Sequence, residues 1–105
     1  MGKTYLGIKQ PYETYKIKID LTEFLGQESL GGYKISVYDL KGTEIHSMLE
    51  DATYTSGTLV LTIGGGKDGR SYKITVKGYT SSSPARKFEE DIFLTVKDYW
   101  DVWWD

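Results

Sequence analysis

The chain has 105 residues, no cysteine, a formal charge of -2 and an aromatic content of 14%. That length carries one domain with one modest core, and the missing cysteines exclude disulfides, thiolate metal sites and cysteine nucleophiles. Eleven lysines and two arginines set against 15 acids give no basic surface of the kind a nucleic-acid binder needs.

Val, Ile, Thr, Tyr, Phe and Trp dominate, whereas Ala occurs only at Ala52 and Ala85, so an all-β domain is expected. The segment from Met1 to Leu6 lacks an apolar core of signal-peptide length, and Leu6 stands where a myristoylation motif wants Ser or Thr. No apolar run approaches the roughly 20 residues of a transmembrane helix. A soluble protein is therefore expected, with no membrane partner, no nucleic-acid partner and no ordinary secretion.

Taken in chain order, Tyr15, Ile17, Ile19 and Leu21 alternate with charged residues, which predicts a half-buried strand. Asp20 followed by Glu23, with Gly26 beyond, predicts a single helical turn. Tyr33, Ile35 and Val37 share one phase while Tyr38 and Leu40 continue in the other, which predicts a bulge or a strand that changes sheet. Residues 43 to 55 have weak alternation and are expected to form an edge strand with an irregular connection. Leu59, Leu61 and Ile63 predict a central strand, and Tyr72, Ile74 and Val76 another. The turn Gly64, Gly65, Gly66, Lys67, Asp68, Gly69 between them is expected to close a hairpin. After the Ser81, Ser82, Ser83, Pro84, Ala85 connection a last strand runs from Phe88 to Val96, with burial expected only beyond Glu90. Six to seven short antiparallel strands with one short helical turn predict an immunoglobulin-like β-sandwich over residues 1–97, followed by a tail at 98–105.

Few residues point to chemistry. The 64–69 turn fails the GxxxxGK[ST] spacing of a phosphate loop, because Asp68 follows Lys67 and a strand follows the turn. Glu89, Glu90 and Asp91 read as a solvated charge run, since no Asp-x-Asp-x-Asp-Gly loop is present. His46 is the one histidine and has no nucleophile elbow in the sequence, so it reads as a surface residue. No catalytic residue, metal site or cofactor is expected.

The tail differs in kind. Tyr99, Trp100, Trp103 and Trp104 place four rings in six residues, interleaved with aspartates. Such a cluster needs cover, either from its own sandwich or from a partner, and Trp and Tyr are favoured interface anchors. These four residues are the candidate docking site, with the 64–69 turn as a secondary contact surface. Residues 1 to 18 carry +3 and residues 86 to 105 carry -3. Adjacent first and last strands would explain that asymmetry, and so would head-to-tail stacking of subunits.

The order of features resembles small β-sandwich tail proteins of bacteriophages and prophages, the fiber-tail adaptor or head-tail accessory group. The residues that carry the resemblance are Gln10, Pro11, Tyr12 and Glu13 before the first alternating strand, then the run from Tyr33 to Asp39, and above all Leu59 to Gly66 followed by Gly69 and Tyr72. Ser81 to Ser83, Arg86, Glu89 to Asp91 and Ile92 to Val96 match the closing part, though Pro84 and Ala85 stand where the family more often has glycine. The resemblance implies a non-enzymatic virion component, made in a host bacterial cytoplasm, that works by assembly with other tail or head-tail proteins or as a ring of identical subunits. The alternative from another class is a carbohydrate-binding or adhesin-like sandwich module.

Overall fold

The computed structural model describes residues 4–98. Its seven strands are β1 (Thr4–Lys9), β2 (Tyr15–Asp20), β3 (Leu30–Asp39), β4 (Leu49–Thr55), β5 (Thr58–Ile63), β6 (Ser71–Thr80) and β7 (Lys87–Val96). They form one sheet in the order β1-β7-β6-β3 and a second in the order β2-β5-β4. This is an immunoglobulin-like sandwich, with the second, fifth and fourth strands in one layer and the third, sixth and seventh in the other. All pairs are antiparallel except one: β1 lies parallel to β7, so the expectation of a wholly antiparallel fold is corrected there.

Period-2 alternation builds the core directly. Leu59, Leu61 and Ile63 on β5 are fully buried and face Ile74, Val76, Leu94 and Val96 of the other sheet. β5 is central to its sheet and β4 lies at its edge, as their patterns predict. The helical turn also forms, as α1 (Thr22–Leu25). Its N-terminus is held by Asp20, whose carboxylate accepts hydrogen bonds from the Thr22 amide at 2.9 Å and hydroxyl at 2.6 Å, rather than by a reciprocal contact from Glu23.

Three local expectations give way to tertiary structure. The 64–69 segment closes no hairpin: β5 and β6 lie in different sheets, and the segment carries the chain from one layer to the other. A glycine-rich turn signals a change of direction but not which layer receives the next strand. β3 neither changes sheet nor breaks at Tyr38; its irregularity lies between Leu30 and Gly32, Tyr38 faces outward in normal alternation, and Leu40 has left the strand. Burial on β7 begins before Glu90, because Phe88 and Glu90 both sit in the core phase and Glu90 is 0% exposed.

The crossing is fastened at one end of the sandwich. Gly65 and Gly66 take positive φ, 71° and 92°, and a Cβ on Gly66 would come within 2.7 Å of the Val96 side chain. The Lys67 amide donates to Tyr72 Oη at 2.9 Å, which resembles the tyrosine corner of immunoglobulin-like domains. At the opposite end Arg86 makes a clasp. Its Nη2 donates to the Phe24 carbonyl at 2.6 Å, its Nε meets Glu28 at 3.2 Å, and its guanidinium lies 4.6 Å from the Phe24 ring centroid. Phe24 in turn meets Phe88 edge-on at 5.1 Å, so the clasp ties α1 and the β2–β3 connection to the start of β7.

Leu61→Ala should cost about 2–5 kcal/mol in chemical denaturation, and a loss below about 1 kcal/mol would show that the site collapses around the truncation. The Glu28 carboxyl is held below its ordinary value of 4.5, first by the Thr80 side chain and then by Arg86 and Ser82. A lowered carboxyl pKa stabilises the fold above pH 4.5, and that contribution is lost as pH falls through the folded value. Glu28→Gln should therefore flatten the acid limb of a stability profile below pH 4.5. An unchanged acid limb would assign it to other carboxylates.

Candidate functional site

The outer face of the four-stranded sheet presents the residues that alternate with the core. Successive cross-strand rows read Gly32, Tyr79, Lys87, then Lys34, Lys77, Glu89, then Ser36, Thr75, Asp91. Gly32 has no side chain, and Tyr79 fills the space above it: a Cβ on Gly32 would lie 2.6 Å from Tyr79 Oη, and one on Gly31 would lie 2.8 Å from the ring. The ring thus lies over bare backbone at the β3 irregularity, an arrangement in which an aromatic side chain covers an edge glycine. Between this ring and the lysines the face hollows into a groove of about 670 Å³, lined by Gly32, Lys34, Lys77, Tyr79, Lys87 and Glu89. That is within the range of ligand sites, roughly 300–1,000 Å³. Tyr79 is 47% exposed.

The groove is cationic by its wiring. Lys34 stands directly opposite Lys77, and like charges in that relation repel. Glu89 neutralises only Lys77, at 3.8 Å. Among the described residues, Lys34 and Lys87 have no carboxylate within ion-pair distance. An anion laid across this row would relieve the repulsion, so the arrangement favours a negatively charged ligand with apolar surface for the Tyr79 ring.

A second hollow of about 770 Å³ lies toward the other end of the sheet, lined by Gly7, Ile8, Tyr15, Leu40, Ser71 and Phe93, with Thr95 at its rim. Leu40 is 70% exposed and Ile8 54%. Its lining carries no formal charge, so the two hollows differ in what they would accept.

The sequence-derived sites fall in several places. Of the 64–69 turn, Gly65, Lys67, Asp68 and Gly69 are exposed, while Gly64 is buried, donating its amide to the Met48 carbonyl at 2.9 Å. The Gly69 amide reaches the Val96 carbonyl at 2.8 Å, and Asp68 Oδ1 accepts the Asp98 amide at 2.8 Å. The turn therefore holds the point at which the C-terminal segment leaves the sandwich. Tyr99, Trp100, Trp103 and Trp104 lie outside the described residues. His46 is on the surface, 3.0 Å from Glu44. The acidic run does not act as one unit: Glu89 pairs with Lys77, Asp91 accepts from Thr75 Oγ1 at 3.0 Å and lies 4.0 Å from Lys73, and Glu90 is core-facing. Glu89 and Asp91 thus each meet a lysine of β6. Among the described residues no three His, Asp or Glu side chains gather so as to hold a metal ion.

Sequence reasoning missed the groove, because its shape depends on the register of β3, β6 and β7. The Gly31, Gly32 pair was the available signal. It also missed β1, whose Lys9 is almost fully buried, with Nζ donating to the Gln10 carbonyl at 2.7 Å and the Pro11 carbonyl at 3.2 Å. Burial lowers the Lys9 pKa, against the pull of Glu13 and Glu50. In comparison with known proteins, no family model and no curated protein matches the chain, so its function rests on the chemistry of these surfaces.

Proposed function

We propose that the protein is a non-enzymatic assembly module, and in particular a phage or prophage structural component of the tail or head-tail region, acting as an adaptor or collar subunit. The observation that carries the assembly part is the outer sheet face, where the exposed Tyr79 ring and two lysines that have no ion-pair partner among the described residues flank a groove on paired strands. Strand-borne sites hold their geometry better than loops do, which suits a contact repeated in many copies. The placement in a virion rests on the resemblance carried by Gln10 to Glu13, by the Leu59 to Tyr72 segment and by the closing strand. Its partners are then other tail or head-tail proteins or further copies of itself.

A sugar-binding module is the second reading, favoured by the exposed Tyr79 ring beside a groove, a surface on which a pyranose could stack.

Particles purified from the host that encodes the chain should contain it. Joint substitution Lys34→Glu, Lys77→Glu, Lys87→Glu should lower its incorporation at least about tenfold while leaving a folded protein. Absence from particles would remove the virion placement. A specific hit on a glycan array that is lost with Tyr79→Ala would replace the assembly reading with the sugar-binding one.

A further inference from the structure

We propose that the acidic, aromatic segment of residues 99–105 of one copy docks in the lysine-lined groove of a second copy. This deepens the assembly reading above and rests on it.

Charge and shape agree. The segment carries Asp101 and Asp105, no basic residue, and the rings of Tyr99, Trp100, Trp103 and Trp104. The groove offers three lysines against one glutamate, with Tyr79 as its aromatic wall. Aspartates entering it would relieve the Lys34–Lys77 repulsion, and indole rings would meet lysine ammoniums and the Tyr79 ring. The uncharged second hollow would take the rings but leave the aspartates unmatched.

Reach decides which copy supplies the groove. The segment departs beside Val96, where Asp68 holds the Asp98 amide. The near edge of the groove is Glu89, seven residues back along β7, or about 23 Å at ~3.3 Å per residue. Trp100 can be no more than about 7 Å from Asp98, and Trp104 no more than about 22 Å at full stretch. The aromatic cluster as a whole therefore cannot enter the groove of its own domain. Donor and acceptor lie at opposite ends of the molecule, so copies either exchange segments as a reciprocal two-fold pair or pass them head to tail into a larger ring or an open chain. A single short segment buries less than a standard interface, so each contact is weak by itself.

Two full-length variants test this. One carries Trp100→Ser, Trp103→Ser and Trp104→Ser and keeps the groove; the other carries Lys34→Glu, Lys77→Glu and Lys87→Glu and keeps the segment. The wild-type chain should show concentration-dependent amide shifts in residues 32–34, 77–79 and 87–89, approaching about millimolar protein, the range of a weak contact. Each variant alone should self-associate at least about tenfold more weakly, and the mixture should form a heterodimer that salt dissociates. A milder pair, Lys34→Gln with Lys87→Gln, should weaken association partially and guards against misfolding of the triple lysine variant.

The proposal is overturned by the absence of groove shifts at any concentration, by groove shifts that persist in the tryptophan variant, or by segment-dependent shifts at Ile8, Leu40 and Phe93 that do not vary with concentration. The last would place the segment on its own domain. If it fails while the chain still enters particles, the groove serves a different tail protein. If homotypic docking holds while the chain is absent from particles, only the virion placement falls.

Discussion

The chain has to carry β6 out of one layer and into the centre of the other, and the bonds that fasten this crossing fix the strand on which the rest of the structure depends. β6 pairs with both β3 and β7, so its register sets the outer face as well as half of the core. Gly65 and Gly66 supply the backbone that the crossing needs, Tyr72 accepts the Lys67 amide, and Val96 takes the Gly69 amide. The same few residues therefore close the sandwich and determine where the C-terminal segment departs.

Much of this was legible because alternation is local. Tyr15 to Ile19, Leu59 to Ile63 and Tyr72 to Val76 carry their strand assignments in their own residues, and the Asp20 to Gly26 turn carries its own stop signal. What escaped was non-local. The opposite charges of the two chain ends allowed the first and last strands to be neighbours, as β1 and β7 are, but the parallel direction of that pairing leaves no mark in either segment. The turn after Ile63 announced a change of direction, and only the packing of two layers decided that it was a crossing. Glu90 is instructive in the other direction, since its phase placed it in the core while its chemistry argued for the surface, and phase prevailed. The groove was hidden for the same reason as β1, since Gly32, Tyr79 and Lys87 become neighbours only through register. The tail's aromatic rings were conspicuous in composition, whereas the groove is a surface assembled from three separate strands.

The two ends of the sandwich have different chemistry. At one, glycines and a tyrosine hydroxyl hold a tight crossing with backbone hydrogen bonds. At the other, Arg86 joins a carboxylate, helix carbonyls and an aromatic ring at the root of β7, next to Lys87 in the groove. The groove thus sits beside the end of β7 that the Arg86 clasp ties to α1 and the β2–β3 connection.

The direction in which β7 runs has a mechanical consequence. The chain leaves the sandwich beyond Val96, while the groove lies around Lys87 to Glu89, so a pull between these points acts along the axis of the strand. β7 is flanked on both sides, by β6 over nine paired residues and by β1 over six. Loaded lengthwise, those ladders resist in shear, with many hydrogen bonds sharing the force at once, whereas a pull across the strand would open them one after another like a zip. The topology therefore suits a part that transmits tension through its body without unravelling.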